Sequence, residues 1–386
     1  LLAVVFHGVF VGVTGWSFDT VIPALGSPAA VDAFKIAVAS LLILPSSILL
    51  GSTFPLMSAG IIRLQPGSQA RTLAWLYFTN SLGAAIGVLA SGFLLIDKLG
   101  LPGTILTAGL LNVALALVVW GLTKRIGPVA APHDGSAGGA SGGAGRLATG
   151  IAVLAFVTGG ASFIYEIAWI RMLTLGLGAS THAFEVMLSA FILGMALGGL
   201  ALALRPPREG RDVAWLAAIL IAKGLFAVLA LGAYGATLDF IRWTMAGLKA
   251  TEPGYALLNV SGLVSSMLVM VPSAFCAGMT LPLATAVLIR RRGGEGAIGR
   301  VYAANTAGCI AGTVFATHVG MEALGVKGLT GFGAACDVAL GVGVILGATG
   351  RGTRALAAAA AGVVAIAVAF AAIELDHPKM ASGVVR

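Results

Sequence analysis

Residues 180–204, STHAFEVMLSAFILGMALGGLALAL, decide the fold. From Val186 to Leu204 no residue carries a charge. A stretch of about 20 apolar residues is what a helix needs to cross a bilayer core. The same stretch carries Gly194 and Gly198 four positions apart. Gly is common, at 55 residues, and in lipid small residues let helices approach closely; the equivalent pairs Gly83/Gly87 and Gly308/Gly312 are expected packing faces. One such run could belong to the core of a large soluble protein. Here it is the rule along the chain.

Working outward from it, similar runs lie near 1–18, 33–61, 72–95, 101–123, 148–174, 213–236, 255–289, 300–320, 326–348 and 354–374. They make about eleven expected spans in all, each near the length a crossing requires. Composition agrees: 58% of residues are hydrophobic and 10% charged, against about 25% charged in soluble domains. The expected fold class is therefore an all-α polytopic membrane protein, with the lipid bilayer as its first partner. The runs 33–61 and 255–289 are long and contain Pro45, Pro55, Pro272 and Pro282, so each is expected to kink or break.

The net charge of +8 does not imply nucleic acid. The cations sit in short loops between apolar runs rather than in a patch, and no nucleic-acid partner is expected. Basic loops alternate with neutral or acidic ones. Arg63 and Arg71, then Lys124, Arg125 and Arg146, then Arg205, Arg208 and Arg211, then Arg290–Arg292 and Arg300, then Arg351 and Arg354 fall on one side. The positive-inside rule places those loops in the cytoplasm of a plasma (inner) membrane protein. It also puts the tail after residue 374 on the outer face. Residues 126–147, rich in Gly, Ala and Ser, read as a flexible cytoplasmic linker. Cys276, Cys309 and Cys336 lie in apolar runs without paired spacing, so neither disulfide nor metal site is expected, and no cofactor in this chain.

The sequence repeats itself. Pro45-x5-Gly51-x-Thr53-x-Pro55-Leu56 recurs as Pro272-x5-Gly278-x-Thr280-x-Pro282-Leu283. Tyr77-x2-Asn80-x2-Gly83-x3-Gly87 recurs as Tyr302-x2-Asn305-x2-Gly308-x3-Gly312, and Asp97-x2-Gly100-x2-Gly103 as Glu322-x2-Gly325-x2-Gly328. Matching segments lie an even number of spans apart, so the two repeats should be parallel, of about six helices each. The expected organisation is a first repeat over 1–125 showing about four helices, the linker 126–147, and a second repeat over 148–350. An extra C-terminal transmembrane helix and the start of a following soluble domain occupy 351–386. The first repeat then lacks its two opening helices.

Ionisable groups inside spans are costly and mark sites. The densest cluster is Tyr165-Glu166-x2-Trp169-x-Arg171, followed by His182 and Glu185 across a short turn. These six are expected to meet, with Glu166 and Glu185 neutralising Arg171 and a protonated His182, and Trp169 at the interface. A second candidate set is Pro45, Thr53, Pro55, Pro272, Thr280 and Pro282, where a broken helix would free backbone groups to line a cavity. Asn80 and Asn305 belong with it as polar groups able to bond across helices. No residue is expected to be catalytic, and Gly-rich strings such as Gly331-Phe332-Gly333 lie within helices rather than after a strand, so they are not phosphate cradles.

Together, the Tyr-Glu-x-x-Trp-x-Arg helix, the His182-Ala183-Phe184 step, Phe191-x2-Gly194-x3-Gly198, and the two repeated motifs resemble the membrane part of the fused major-facilitator-like/spermidine synthase family. The resemblance covers about residues 40–350. It implies a bundle followed by a spermidine synthase-like domain of methyltransferase fold, none of whose catalytic residues is in this chain. The tail Asp376-x-Pro378-x-Met380-Ala381-Ser382-Gly383-Val384 also resembles the entry into that domain. The reading this favours is a membrane domain that anchors the soluble domain and feeds it substrate, such as a polyamine. The alternatives are a major-facilitator-like secondary transporter of a small solute, and a non-catalytic subunit of a larger membrane complex or homo-oligomer.

Overall fold

The structure is a computed structural model that describes residues 2–64, 69–126, 142–208, 210–248, 251–290, 296–349 and 353–373. Every described secondary-structure element is helical. The helices are α1 (Leu2–Trp16), α2 (Ile22–Ala24), α3 (Pro28–Leu64), α4 (Gln69–Ala90), α5 (Ile96–Ile126), α6 (Gly142–Leu177), α7 (Thr181–Leu204), α8 (Asp212–Gly247), α9 (Glu252–Leu288), α10 (Gly296–Phe315), α11 (Met321–Thr349) and α12 (Thr353–Ala372). Helices are forced by the medium, because in hydrocarbon each backbone N–H and C=O must be satisfied within its own segment. Starts are marked by side chains that accept otherwise orphaned amides. The Ser180 hydroxyl accepts from Ala183 N at 3.1 Å to open α7, and Thr251 accepts from Gly254 N at 3.3 Å to open α9.

Among the described residues eight helical stretches are long and apolar enough to cross a membrane, and the chain is a multi-pass membrane protein. The number differs from the eleven runs of the hydropathy reading. Gln69–Lys124, with 56 residues, and Gly296–Gly347, with 52, each cover two expected spans without an intervening loop. Within each, two helices meet at a glycine in the left-handed region: Gly100 (φ 66°, ψ −179°) and Gly325 (φ 63°, ψ −178°). A residue with a Cβ resists that conformation, so a single glycine turns the chain where a loop would otherwise be needed. Five-residue π-helical turns, Ser91–Leu95 and Ala316–Gly320, precede these kinks. The last apolar run is present as α12, of which Ala357–Ala372 is shorter than the other candidate spans.

Two expectations are corrected. The prolines do not break their helices: α3 and α9 each run for 37 residues through Pro45 and Pro55, and through Pro272 and Pro282. A proline removes one backbone bond, and the bonds of the flanking turns carry the helix past it. The linker expected over 126–147 is also corrected at both edges, since Ile126 still ends α5 and residues 142–147 open α6. Once α6 is anchored in its apolar run, adding a turn to its start needs only about 1 kcal/mol per glycine to be offset by backbone bonds. Residues 127–141 and the tail from 374 onward lie outside the described residues.

The chain divides into two compact units, residues 1–57 with 90–139, and residues 58–89 with 140–386. In the first, α1 packs on α5. The second is the larger and is built on glycine seams. A Cβ at Gly198 would lie 1.9 Å from Phe275 O, and one at Gly278 would lie 2.0 Å from Met195 O, so α7 and α9 touch backbone to backbone. On α6 and α10, a Cβ at Gly308 would lie 1.9 Å from Phe156 O, and one at Gly312 would lie 2.4 Å from Gly160 O. Helices this close gain dispersion contacts that lipid tails cannot supply. The equivalent Gly83 and Gly87 of α4 have nothing within 4 Å of an added Cβ. The sequence pattern is shared, but among the described residues only the second copy forms a seam.

Candidate functional site

The centre of the larger unit holds an ion pair that hydropathy gives no reason to connect. Lys223 of α8 and Asp337 of α11 are 1% and 0% exposed, with Lys223 Nζ 3.1 Å from Asp337 Oδ2. Two residues of α6, seven positions apart and so on one face, complete the arrangement. Thr158 Oγ1 donates to Asp337 Oδ1 at 2.9 Å, and Tyr165 Oη donates to Asp337 Oδ2 at 2.8 Å. Lys223 Nζ also donates to Thr158 Oγ1 at 2.8 Å and to Thr158 O at 2.9 Å. From α9, Ser273 Oγ donates to Lys223 O at 3.0 Å.

Glycine makes the geometry possible. A Cβ at Gly333, one turn before Asp337, would lie 2.7 Å from Tyr165 Cε1, so the phenol ring rests directly against α11 and its hydroxyl reaches the carboxylate. A Cβ at Gly224, the neighbour of Lys223, would lie 3.0 Å from Ala334 O, and this close approach of α8 to α11 brings the ammonium within reach. Lys223 Nζ further lies 5.4 Å from the Tyr165 ring centroid, near enough for a cation–π attraction. Each ammonium proton finds an acceptor and both carboxylate oxygens find donors. The arrangement is closed, joining α6, α8 and α11.

The six residues of the sequence cluster are not one site. Tyr165 belongs to the Lys223/Asp337 centre. Trp169 is fully buried rather than interfacial, stacked on Tyr165 with centroids 5.4 Å apart and tilted against Phe191 at 6.4 Å. Its Nε1 has no partner among the described residues. His182 and Glu185 do pair, Nδ1 to Oε2 at 3.1 Å, one turn apart on α7, and the His182 ring meets Tyr255 edge-on at 6.5 Å. Beside them lies a cavity of about 90 Å³ lined by Ser180, Tyr255 and Asn259 among others.

The expected neutralisation of Arg171 by Glu166 is not found. Five positions along a helix turn the side chain by about 140°, so the two point to different faces; Arg171 is exposed and Glu166 is 8% exposed. Among the described residues Glu166 forms no ion pair.

The second candidate set falls in both units. Thr280 Oγ1 donates to Cys276 O at 2.8 Å, and Thr53 Oγ1 donates to Leu50 O at 2.6 Å, each within its own helix. Thr53 also lines a groove of about 790 Å³ in the smaller unit, with Asn112 on its wall. Asn80 is exposed. Asn305 reaches Cys309 Sγ at 3.6 Å, and an added Cβ at Gly159 would lie 2.7 Å from its Oδ1, so it sits in the α6–α10 seam. At another level of the bundle, Arg290 Nη1 and Asp212 Oδ2, 3.3 Å apart, tie the end of α9 to the start of α8.

Sequence reasoning missed Lys223, Asp337 and Thr158. A signal existed: Lys223 is the single charge in the apolar run 213–236, and Asp337 the single acid in 326–348. That the two lie at one depth on facing helices is a property of packing. Among the described residues no group of three or more His, Cys, Asp or Glu could hold a metal ion. Comparison with known proteins adds no relative: no family model, curated protein or solved structure matches the chain.

Proposed function

We propose that this chain is the membrane domain of a spermidine synthase-like fusion protein, and that its bundle handles a small solute as a major-facilitator-like carrier does. The observation that carries the second clause is the buried Lys223–Asp337 pair. A passive anchor needs only apolar helices. Moving two charges out of water costs several kcal/mol per ion, and similar-sized apolar residues would hold three helices together as well or better. Ionisable residues inside membrane bundles are retained where charge, solute or protons move. In a carrier of this kind the pair would part and re-form as the helices move, which is what alternating access asks of a charge pair between helices.

The repeat supports the carrier architecture. Gly100 and Gly325 adopt the same left-handed conformation, each after a π-helical turn, and the 37-residue proline-bearing helices α3 and α9 correspond. Each of these pairs is separated by the same distance along the chain as Tyr77 and Tyr302, within two residues. The same order of features in both halves is what two repeats of one helical unit produce. The link to a following methyltransferase-fold domain rests on the motifs of the sequence and on the resemblance of residues 376–384 to that domain's entry.

The test is uptake by purified protein in proteoliposomes, with labelled spermidine in a panel of amines, carboxylates and neutral solutes. Asp337→Asn and the apolar double variant Lys223→Met/Asp337→Leu are compared with the wild type. Uptake by the wild type and none by a well-folded double variant is the expected result. Uptake that survives in the double variant removes the pair from the pathway, and absence of uptake for every solute leaves the anchoring clause alone standing.

A further inference from the structure

A chamber of about 550 Å³ lies two helical turns from the Lys223/Asp337 centre, toward the end of the bundle where α6 and α8 begin and α11 finishes. The helix period puts it there. Ile151 stands seven residues before Thr158 on α6, Leu216 seven before Lys223 on α8, and Val344 seven after Asp337 on α11, and all three line the chamber. Seven residues are about two turns, or about 10 Å, and return a helix to the same face. The three faces that meet through polar groups at the centre meet here through apolar side chains, with space left between them.

The chamber is one-sided in access and in charge. Leu154 and Leu216, 3% and 1% exposed, close its inner wall. Gly150 of α6 and Ala339 and Gly343 of α11 are exposed and form its rim. That rim belongs to two membrane-crossing stretches, Gly145–Leu177 and Gly296–Gly347, so the chamber opens within the depth of the bilayer. Arg146, exposed near the start of α6, lines its end. Among the described residues no acid lines the chamber, and Arg146 forms no ion pair. Asp212, next to the lining residue Val213, is already held by Arg290 at 3.3 Å.

We infer that this chamber binds an anionic phospholipid of the bilayer, with one acyl chain between α6, α8 and α11 and the phosphate on the Arg146 guanidinium. The chemistry of the lining chooses the occupant. Apolar walls with one cation at the end match a ligand with an apolar body and one anionic head. A guanidinium can hold a phosphate through two parallel hydrogen bonds, and basic pockets between membrane helices select anionic head groups in this way. On the other side of α11, a groove of about 560 Å³ has no charged lining residue among those described. Any acyl chain fits that groove, and nothing there chooses a head group. The inference needs the bilayer but not solute transport. It also bears on the charge centre, because a chain held in the chamber fixes the spacing of the three helices that Lys223, Asp337 and Thr158 tie together.

The experiment uses the full chain, stripped of lipid in mild detergent, and reads melting temperature against added dioleoyl phosphatidylglycerol. Dioleoyl phosphatidylcholine and inorganic phosphate are the controls. Phosphatidylglycerol should raise the melting temperature in a saturable way, as a ligand bound only to the folded state does, and neither control should. Arg146→Gln should reduce that shift several-fold, whereas Arg205→Gln, which removes another exposed arginine, should keep it. Gly343→Leu tests the place of the chain. A Cβ at Gly343 has nothing within 4 Å, so the variant should fold normally, fill part of the chamber and lose the shift. A phosphatidylglycerol with a photoreactive diazirine at the end of its acyl chain should label the segment of α8 around Leu216 in the wild type and not in Gly343→Leu.

Equal shifts with the two lipids overturn the inference, as does an undiminished shift in Arg146→Gln. A shift with inorganic phosphate alone makes this a site for a free anion and overturns it too. So does labelling that is unchanged in Gly343→Leu. Should Arg146→Gln fail to fold, the labelling of the wild type against Gly343→Leu decides by itself.

Discussion

Asp337→Asn separates a charge pair that holds helices from one that merely sits among them. The substitution keeps the shape of the side chain and removes its charge. Lys223 Nζ would keep Thr158 O and Thr158 Oγ1 at 2.9 and 2.8 Å but lose its counter-ion. Breaking a buried pair by removing one partner costs about 3–5 kcal/mol, because an uncompensated charge is left behind. Replacing both partners by apolar residues of similar volume is neutral or stabilising by about 1–4 kcal/mol. A domain of this size loses roughly 2 °C of melting temperature per kcal/mol, so Asp337→Asn should melt about 6–10 °C below the wild type. Lys223→Met/Asp337→Leu should melt at or above the wild type. The assay is tryptophan fluorescence on heating in detergent, closed into a double-mutant cycle with Lys223→Met. The apolar double variant matters most, because it separates folding from function: if stable and inactive, it shows the charges are kept for work. A double variant that falls by the sum of the two single losses would refute the reasoning, since the residues would then be acting independently.

Three further outcomes are expected. Gly308→Ala should destabilise the bundle by about 1–3 kcal/mol, because its Cβ would lie 1.9 Å from Phe156 O and the helices must part; Gly83→Ala, with open space around it, should be neutral or slightly stabilising in the same melting assay. Tyr165→Phe removes the 2.8 Å bond to Asp337 Oδ2 and should lower stability by about 1.5–3 kcal/mol, the range for a bond to a charged group, without altering the far-ultraviolet helical signal. A cysteine at Ser382, in a background with Cys276, Cys309 and Cys336 replaced, should react with a membrane-impermeant maleimide in intact cells, as the charge pattern of the loops implies; protection until lysis would place it in the cytoplasm.

The residues that were legible in the sequence share one trait: their roles depend on near neighbours along the chain. The run 180–204 had to be a helix in lipid whatever it packed against, and the spacing of Gly308 and Gly312 announced a close-packing face. His182 and Glu185, three positions apart, were bound to be within reach once α7 formed. Where a sequence reading needed contacts between helices it went astray. Glu166 and Arg171 are close along the chain but turned apart by the helix, and Trp169 lies in the core because Tyr165 and Phe191 flank it there.

What the sequence by itself determined is the medium and the secondary structure. Hydrocarbon offers a backbone no partner, so long apolar runs must be helices, and their length follows from the thickness of a membrane. What only the tertiary structure decided is which polar groups are neutralised and which are left open. Lys223 and Asp337 stand 114 residues apart, and nothing local to either tells that Gly224 and Gly333 bring their helices close enough to pair them. The same packing buries Glu166 with no hydrogen bond or ion pair among the described residues. Electrostatic energy in a low-dielectric interior depends on a few ångströms of separation, and those ångströms are set by how whole helices meet.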